Sequence, residues 1–350
     1  MLRKTVVLLI SVTIIIGCFS GDSVNAAENF RIAWSHYTGW EPWEFARHKG
    51  ILDKWAKKHG IAIQLDLVND YIESINLYTA GTYHGCVMTN MDALTIPAVG
   101  GVDSTALIIG DFSNGNDGIV MKKGDKVTDL KGREVKLVEL SVSHYLLARA
   151  LEMNKLSERD LKIINTSDAD IAAIFVSDPN GAVVTWNPPL MQCRNVKGAN
   201  LVFDSAKIPG EIIDMMVVRS NTPDTLKKAL TGAWYETMAM MSGKSKEAKE
   251  AIEHMAEFAG GTEAEFRAQI RTTSMFYKPA DAVSFVKGDK LKKNMEYVRS
   301  FCFDHGLYGD ADSKDFVGIQ FPDAAVVGDK TNVKLRFDAK FMQMAADGKL

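Results

Sequence analysis

Apolar residues recur in short runs that alternate with stretches of helical spacing. Phe30–Trp34 reads as a strand, and Pro42 opens a helix whose apolar face carries Phe45, Ile51, Leu52 and Trp55 before Gly60 ends it. Ile63–Val68, Gly85–Met88 and Thr105–Ile109 read as further strands, with helical patterns over Ile72–Ala80 and Leu94–Val99 between them. A second series follows. Val135–Val138, Leu161–Ile164 and Ala182–Thr185 are strand-like, Tyr145–Met153 and Ile171–Val176 are helical, and Ile212–Val218 is another apolar run. Such alternation predicts βαβ units and a largely parallel sheet in each series. Beyond Pro223 the pattern turns helical over Leu226–Met241, Ala248–Phe258, Ala264–Ile270 and Leu291–Phe303. The expected architecture is α/β and bilobed. Lobe 1 takes residues 27–118 plus 217–350 and lobe 2 takes 119–216, with the two crossings near Gly118–Met121 and Met215–Arg219 as a two-segment hinge.

The first 26 residues read as an export signal. Arg3 and Lys4 precede an apolar run from Val6 to Ile16 that is too short for an ordinary membrane span. Val24-Asn25-Ala26 suits release of a mature chain at Ala27, while Ile15-Ile16-Gly17-Cys18 suits lipid anchoring through Cys18. Both place the domain outside the cytoplasmic membrane. Cys86, Cys193 and Cys302 sit in no metal-type spacing and read as small buried hydrophobes, with at most one pair among them. The net charge of −3 gives no footprint for nucleic acid.

Chemistry concentrates in the segments after the strands. Residues 34–44, 69–76, 88–94, 110–118, 138–145 and 184–190 hold Glu41, Glu44, Asp70, Glu73, Asp92, Asp111, Asp117 and Glu139, and no Lys or Arg. At the chain's overall frequency of 41 Lys+Arg in 350 residues, about six would be expected there. Ligands of open α/β folds sit at the carboxyl ends of strands. An aromatic, acidic mouth free of basic side chains suits a small cationic or neutral ligand. Trp34, Tyr37, Trp40 and Trp43 crowd together after the first strand, and Trp186 precedes Pro188-Pro189. Trp43 also fits an inward-packing helix start, and Glu41 and Glu44 also fit a favourable helix first turn. Asp70, Asp92, Asp111 and Glu139 each follow a strand or start a helix, which suits either ligand contact or a capping role. No phosphate loop, GxSxG elbow or HExxH motif occurs, and the histidines are scattered. Ser141, Ser143 and His144 share one helix start, where capping explains them better than catalysis. No cofactor and no metal are expected.

The order of several pieces resembles the substrate-binding proteins of ABC importers for nitrate, sulfonates and taurine. These pieces are Gly39-Trp40-Glu41-Pro42, Gly85 to Asp92, Asp129-Leu130-Lys131-Gly132, Leu140 to Leu147, Val184 to Pro188 and Phe203-Asp204-Ser205. Asn69 to Asn76, Thr89 to Ala98, Gly101 to Leu107, Gly110 to Gly118 and the chain end Asn332 to Phe337 resemble more closely the subgroup described as urea-transport binding proteins, associated with urea carboxylase-type enzymes. The resemblance implies a periplasmic-binding-protein fold, a cleft site, no catalysis, a monomer in the periplasm and an ABC permease as partner. It puts Tyr37, Trp40, Asp70, Asn90, Asp92, Asp111, Glu139, Ser141, Trp186 and Asn187 forward as ligand-binding residues. The missing basic residues depart from the sulfonate and nitrate branches and favour guanidinium first and urea second. The alternatives are a sulfonate or taurine ligand, or an enzyme of the pyrimidine-synthase-like branch of this fold, which carries a cysteine- and histidine-rich iron site.

Overall fold

The computed structural model describes residues 27–350, so the export signal and Cys18 lie outside the described residues. The strands are β1 Glu28–Trp34, β2 Ile61–Leu67, β3 Gly85–Thr89, β4 Ser104–Ser113, β5 Asp117–Met121, β6 Glu134–Leu137, β7 Lys162–Asn165, β8 Ala182–Trp186, β9 Asn200–Asp204, β10 Ile213–Arg219, β11 Thr273–Met275, β12 Gly318–Gln320, β13 Val326–Val327 and β14 Val333–Phe337. They form two sheets. The larger runs β13-β12-β14-β4-β10-β3-β1-β2 with β11 beside β4, and the smaller runs β7-β6-β8-β5-β9. Every residue of β3, β5 and β8 is buried. Helices cover both faces, so these strands read as continuous apolar runs rather than alternating ones.

Four strands run against the parallel expectation, the short β11 and β13 at the edges and β5 and β10 inside the sheets. β10 is antiparallel to both β3 and β4, and β5 is antiparallel to both β8 and β9. Both follow a passage between the sheets, and each enters its sheet beside strands that end there. The passages lie at residues 114–116 and 205–212. Gly118–Met121 and Met215–Arg219, expected as the crossings, instead lie inside β5 and β10. The reason is local. Asn114-Gly115-Asn116 supplies the turn, and the Ser205 hydroxyl ties the two passages together, bonding Ser113 Oγ at 2.6 Å and accepting from Gly115 N at 2.7 Å.

The C-terminal part is not purely helical, because β11, β12, β13 and β14 return to the larger sheet. It also contains the helix Pro279–Lys287, which spacing alone did not pick out. Cys86, Cys193 and Cys302 are buried free thiols. Among the described residues, no helix is long and apolar enough to cross a membrane.

Candidate functional site

Five strand ends converge between the sheets. In register, Asp214 at the start of β10 faces Thr89 at the end of β3 on one side and Asp111 near the end of β4 on the other. Across the cleft, Asp117 at the start of β5 pairs with Trp186 at the end of β8. The turn after β1 brings in Tyr37 and Trp40, closed by the Trp40 amide donating to the Tyr37 carbonyl at 2.8 Å. Asp70 caps the helix Tyr71–Thr79 and so sets Tyr71 at the cleft.

The result is a cavity walled by Tyr37, Trp40, Tyr71 and Trp186, with Asp117, Asp214, Thr89, Val142 and Ile212 completing it. Its empty volume is about 230 Å³. In this closed form it holds about one water molecule, so a ligand of a few heavy atoms enters only as the lobes part. The rings are mutually supported. Tyr37 and Trp40 have centroids 5.0 Å apart, Trp40 and Tyr71 5.5 Å, and Tyr71 and Trp186 5.5 Å. The lobes meet over this space, since Trp186 Nε1 donates to the His36 carbonyl at 3.3 Å and Tyr71 N donates to Asp168 Oδ1 at 3.4 Å.

Four aspartates, 92, 111, 117 and 214, are buried in and behind the walls. Tyr71 OH donates to Asp92 Oδ2 at 2.6 Å and Thr89 Oγ1 to the same oxygen at 2.8 Å. Tyr37 OH donates to Asp111 Oδ1 at 3.0 Å. Asp92 Oδ1 and the Oδ2 atoms of Asp111, Asp117 and Asp214 find no hydrogen-bond partner among the described residues. Burial pushes Asp92 up to about 6 and Asp111 and Asp117 up to about 7. Asp214 rises well above the carboxylate range, through burial first and then the neighbouring Asp111. None of the groups acting on these four carboxyls is basic. A site of this composition accepts N–H groups and favours positive charge. Its unpartnered side-chain donors are Trp40 Nε1 and, beside Trp186, Asn187 Nδ2.

Of the residues expected from sequence, Tyr37, Trp40 and Trp186 line the cavity, and Asp92 and Asp111 stand directly behind it through their tyrosine partners. Asn187 is buried with both side-chain ends unpartnered, next to Trp186. The other four are placed elsewhere. Asp70 accepts from Glu73 N at 2.9 Å as a helix cap. Glu139 is exposed in an outer groove beside Asp70 and Glu73. Ser141 caps the helix Val142–Met153, donating to the Val138 carbonyl at 2.7 Å. Asn90 is spent on the inter-sheet passage, donating to the Glu211 carbonyl and accepting from Ile213 N, both at 3.0 Å. Tyr71, Thr89 and Asp214 are not among the expected residues, and Asp117 is counted only among the eight strand-end carboxylates. A tyrosine directly after a helix cap, and an aspartate interrupting an apolar run, were the available signals. Glu41 and Glu44 also turn away from the cavity, toward His36 and Arg47 respectively. No group of His, Cys, Asp and Glu suited to a metal ion occurs among the described residues.

No protein-family model matches the chain, and no curated protein matches it. Solved structures share its fold. The alkanesulfonate-binding protein SsuA of Xanthomonas axonopodis pv. citri bound to MOPS superposes with a TM-score of 0.66 at 15% identity, covering 81% of this chain and 96% of that one. The zinc-bound ligand-binding component of an ABC-type import system from Staphylococcus aureus gives 0.65 at 11% identity, with 91% and 99% covered. The Candida albicans CA3427 product, described as having the generic periplasmic binding protein structural fold, gives 0.60 at 13% identity, with 82% and 92% covered. The chain therefore has the bilobed periplasmic-binding-protein fold.

Proposed function

We propose that this protein is the solute-binding component of an ABC importer, exported to the periplasm, and that it captures a small nitrogen-rich cation between its lobes, guanidinium first and urea second. The observation that carries the reading is the set of four buried aspartates, with no basic partner among the described residues, around a small aromatic cavity. Buried carboxylates with no counter-charge are costly unless the ligand brings one. A planar cation stacks between Trp40 and Trp186 while its N–H groups reach Asp117 and Asp214. Charge-assisted hydrogen bonds contribute about 1.5–3 kcal/mol each, and ring-face contact about 0.5–2 kcal/mol. Lobe closure then excludes water and presents the closed form to a permease. The role is capture without chemistry.

Guanidinium should bind at least about tenfold, or about 1.4 kcal/mol, more tightly than taurine, nitrate or an alkanesulfonate. Calorimetric titration of residues 27–350 with each compound tests this. A preference for the sulfonate would overturn the charge reading and return the ligand to the chemistry of the SsuA structures. Low guanidinium should also raise the melting temperature, since a ligand at 100 times its dissociation constant adds about 2.7 kcal/mol, whereas sodium chloride at equal ionic strength should not.

Trp186→Ala should weaken guanidinium binding at least about tenfold while circular dichroism stays unchanged, because the ring is carried by the smaller sheet yet touches Tyr71 of the other lobe. Unchanged affinity would make Trp186 a packing residue only.

A further inference from the structure

We propose that Asp111 and Asp214 form a specificity-determining pair that holds one proton between them until a cation enters, and that the cation takes the proton's place. This rests on the reading of the cleft as a cation site. The two residues face each other in register on adjacent antiparallel strands, at 0% and 2% exposure. Each keeps its Oδ2 without a donor. Two adjacent carboxylates in a buried site do not both ionise at modest cost. One proton gives an orphan oxygen a donor and removes one of the two charges.

The surroundings reinforce this from every side. The Tyr37 hydroxyl donates to Asp111 Oδ1, Asp117 faces both carboxyls from the smaller sheet, and Tyr277, just past β11, lies near Asp111. β3 contributes Thr89 opposite Asp214, and β11 contributes Met275 opposite Asp111, neither of them charged. None of the groups acting on either carboxyl is basic. Burial raises both carboxyls, Asp111 to about 7 and Asp214 well above the carboxylate range, so the pair keeps a proton between its two side chains at neutral pH.

The exchange balances. Guanidinium enters with one positive charge, the shared proton leaves the pair for solvent, and guanidinium N–H groups donate where the carboxyl O–H did. No covalent bond forms. Urea brings no charge, so release of the proton would leave the pair doubly ionised. The pair then stays protonated, and urea meets one acceptor fewer. Selectivity for cation over neutral analogue thus rises with pH. Guanidinium affinity should fall about tenfold per unit as the pH drops below 7, while urea affinity stays flat.

Titration calorimetry of residues 27–350 with guanidinium at pH 7, in two buffers of different ionisation enthalpy, counts the released protons. Wild type should release at least about half a proton more per ligand than Asp214→Asn, which keeps only the release from Asp117, itself near 7. Infrared difference spectra of Asp117→Asn, ligand-free at pH 7, should show a protonated-carboxyl band that guanidinium removes and that the double variant Asp117→Asn/Asp214→Asn loses. Tight guanidinium binding with no more proton release than Asp214→Asn shows would overturn the exchange and leave the function standing. No guanidinium binding would overturn the functional reading and the exchange together. Absence of the infrared band would overturn proton sharing whatever binds.

Discussion

Replacing Gly39 with alanine should lower guanidinium affinity by at least about 100-fold, or about 2.7 kcal/mol, in a protein that still folds. A Cβ at this position would lie 2.3 Å from Asp111 Oδ2 and 2.5 Å from Tyr37 Cε1. Both distances are well inside contact, so either the carboxyl or the ring must move. Asp111 cannot retreat freely, because it is fully buried and holds the Tyr37 hydroxyl. Displacing Tyr37 narrows a cavity that already admits little more than one water-sized sphere. The backbone itself tolerates alanine, since Gly39 is not among the glycines with positive φ. The stability loss should therefore stay near the 1–3 kcal/mol usual for overpacking. Gly243→Ala, where the nearest atom is 3.7 Å away, serves as the control and should bind as wild type does. Affinity of Gly39→Ala within twofold of wild type would show that the turn after β1 is not part of the site.

That turn illustrates what the chain discloses. Tyr37, Trp40 and Trp186 stand out in sequence because aromatic residues beside Gly or Pro, directly after an apolar run, are poorly explained by core packing. The alternation of strand and helix likewise reads directly as two α/β units. Strand direction does not, because a period of two is the same in either sense. Asp214 shows the consequence. In Ile212-Ile213-Asp214-Met215-Met216 it is an interruption in an apolar run, and the rule that ligands gather at carboxyl ends of strands points away from it. β10 enters antiparallel, so its first residues meet the carboxyl ends of β3 and β4. Asp70 and Glu139 fail in the opposite way. They follow strands as expected, but β2 is an outermost strand of the larger sheet and β6 lies next to the outermost strand of the smaller one, so their ends open onto a rim groove. Asp70 is consumed by the very helix cap that places Tyr71. Position along the sheet, which local sequence does not encode, separates the carboxylates at the cavity from those at its edge.

Asp117→Asn should weaken guanidinium binding about tenfold or more and yet stabilise the ligand-free protein at pH 8 by about 1–3 kcal/mol. The two effects have one cause. Burial raises the Asp117 carboxyl to about 7, above the ordinary value of 3.8, so the folded state binds this proton more tightly than the unfolded state. Folding then carries a penalty that is absent below about pH 4, grows as the pH rises toward 7 and is constant above it. A shift of that size, with the lowering by the Ser113 hydroxyl already in it, corresponds to at most about 4 kcal/mol. Asparagine has the same shape and no charge, so it removes the penalty together with the attraction for a cation. The stability gain should be read by scanning calorimetry, because guanidinium and urea are themselves candidate ligands and unsuitable as denaturants here. It should shrink as the pH is lowered from 8 to 5. A variant that loses affinity without gaining stability at pH 8 would mean that Asp117 is neutral in the folded protein and contacts the ligand as a hydrogen-bonding carboxylic acid. One that gains stability without losing affinity would remove Asp117 from the site. Only the joint outcome fits a carboxylate kept buried and ionisable for a cation, at the expense of the fold that holds it.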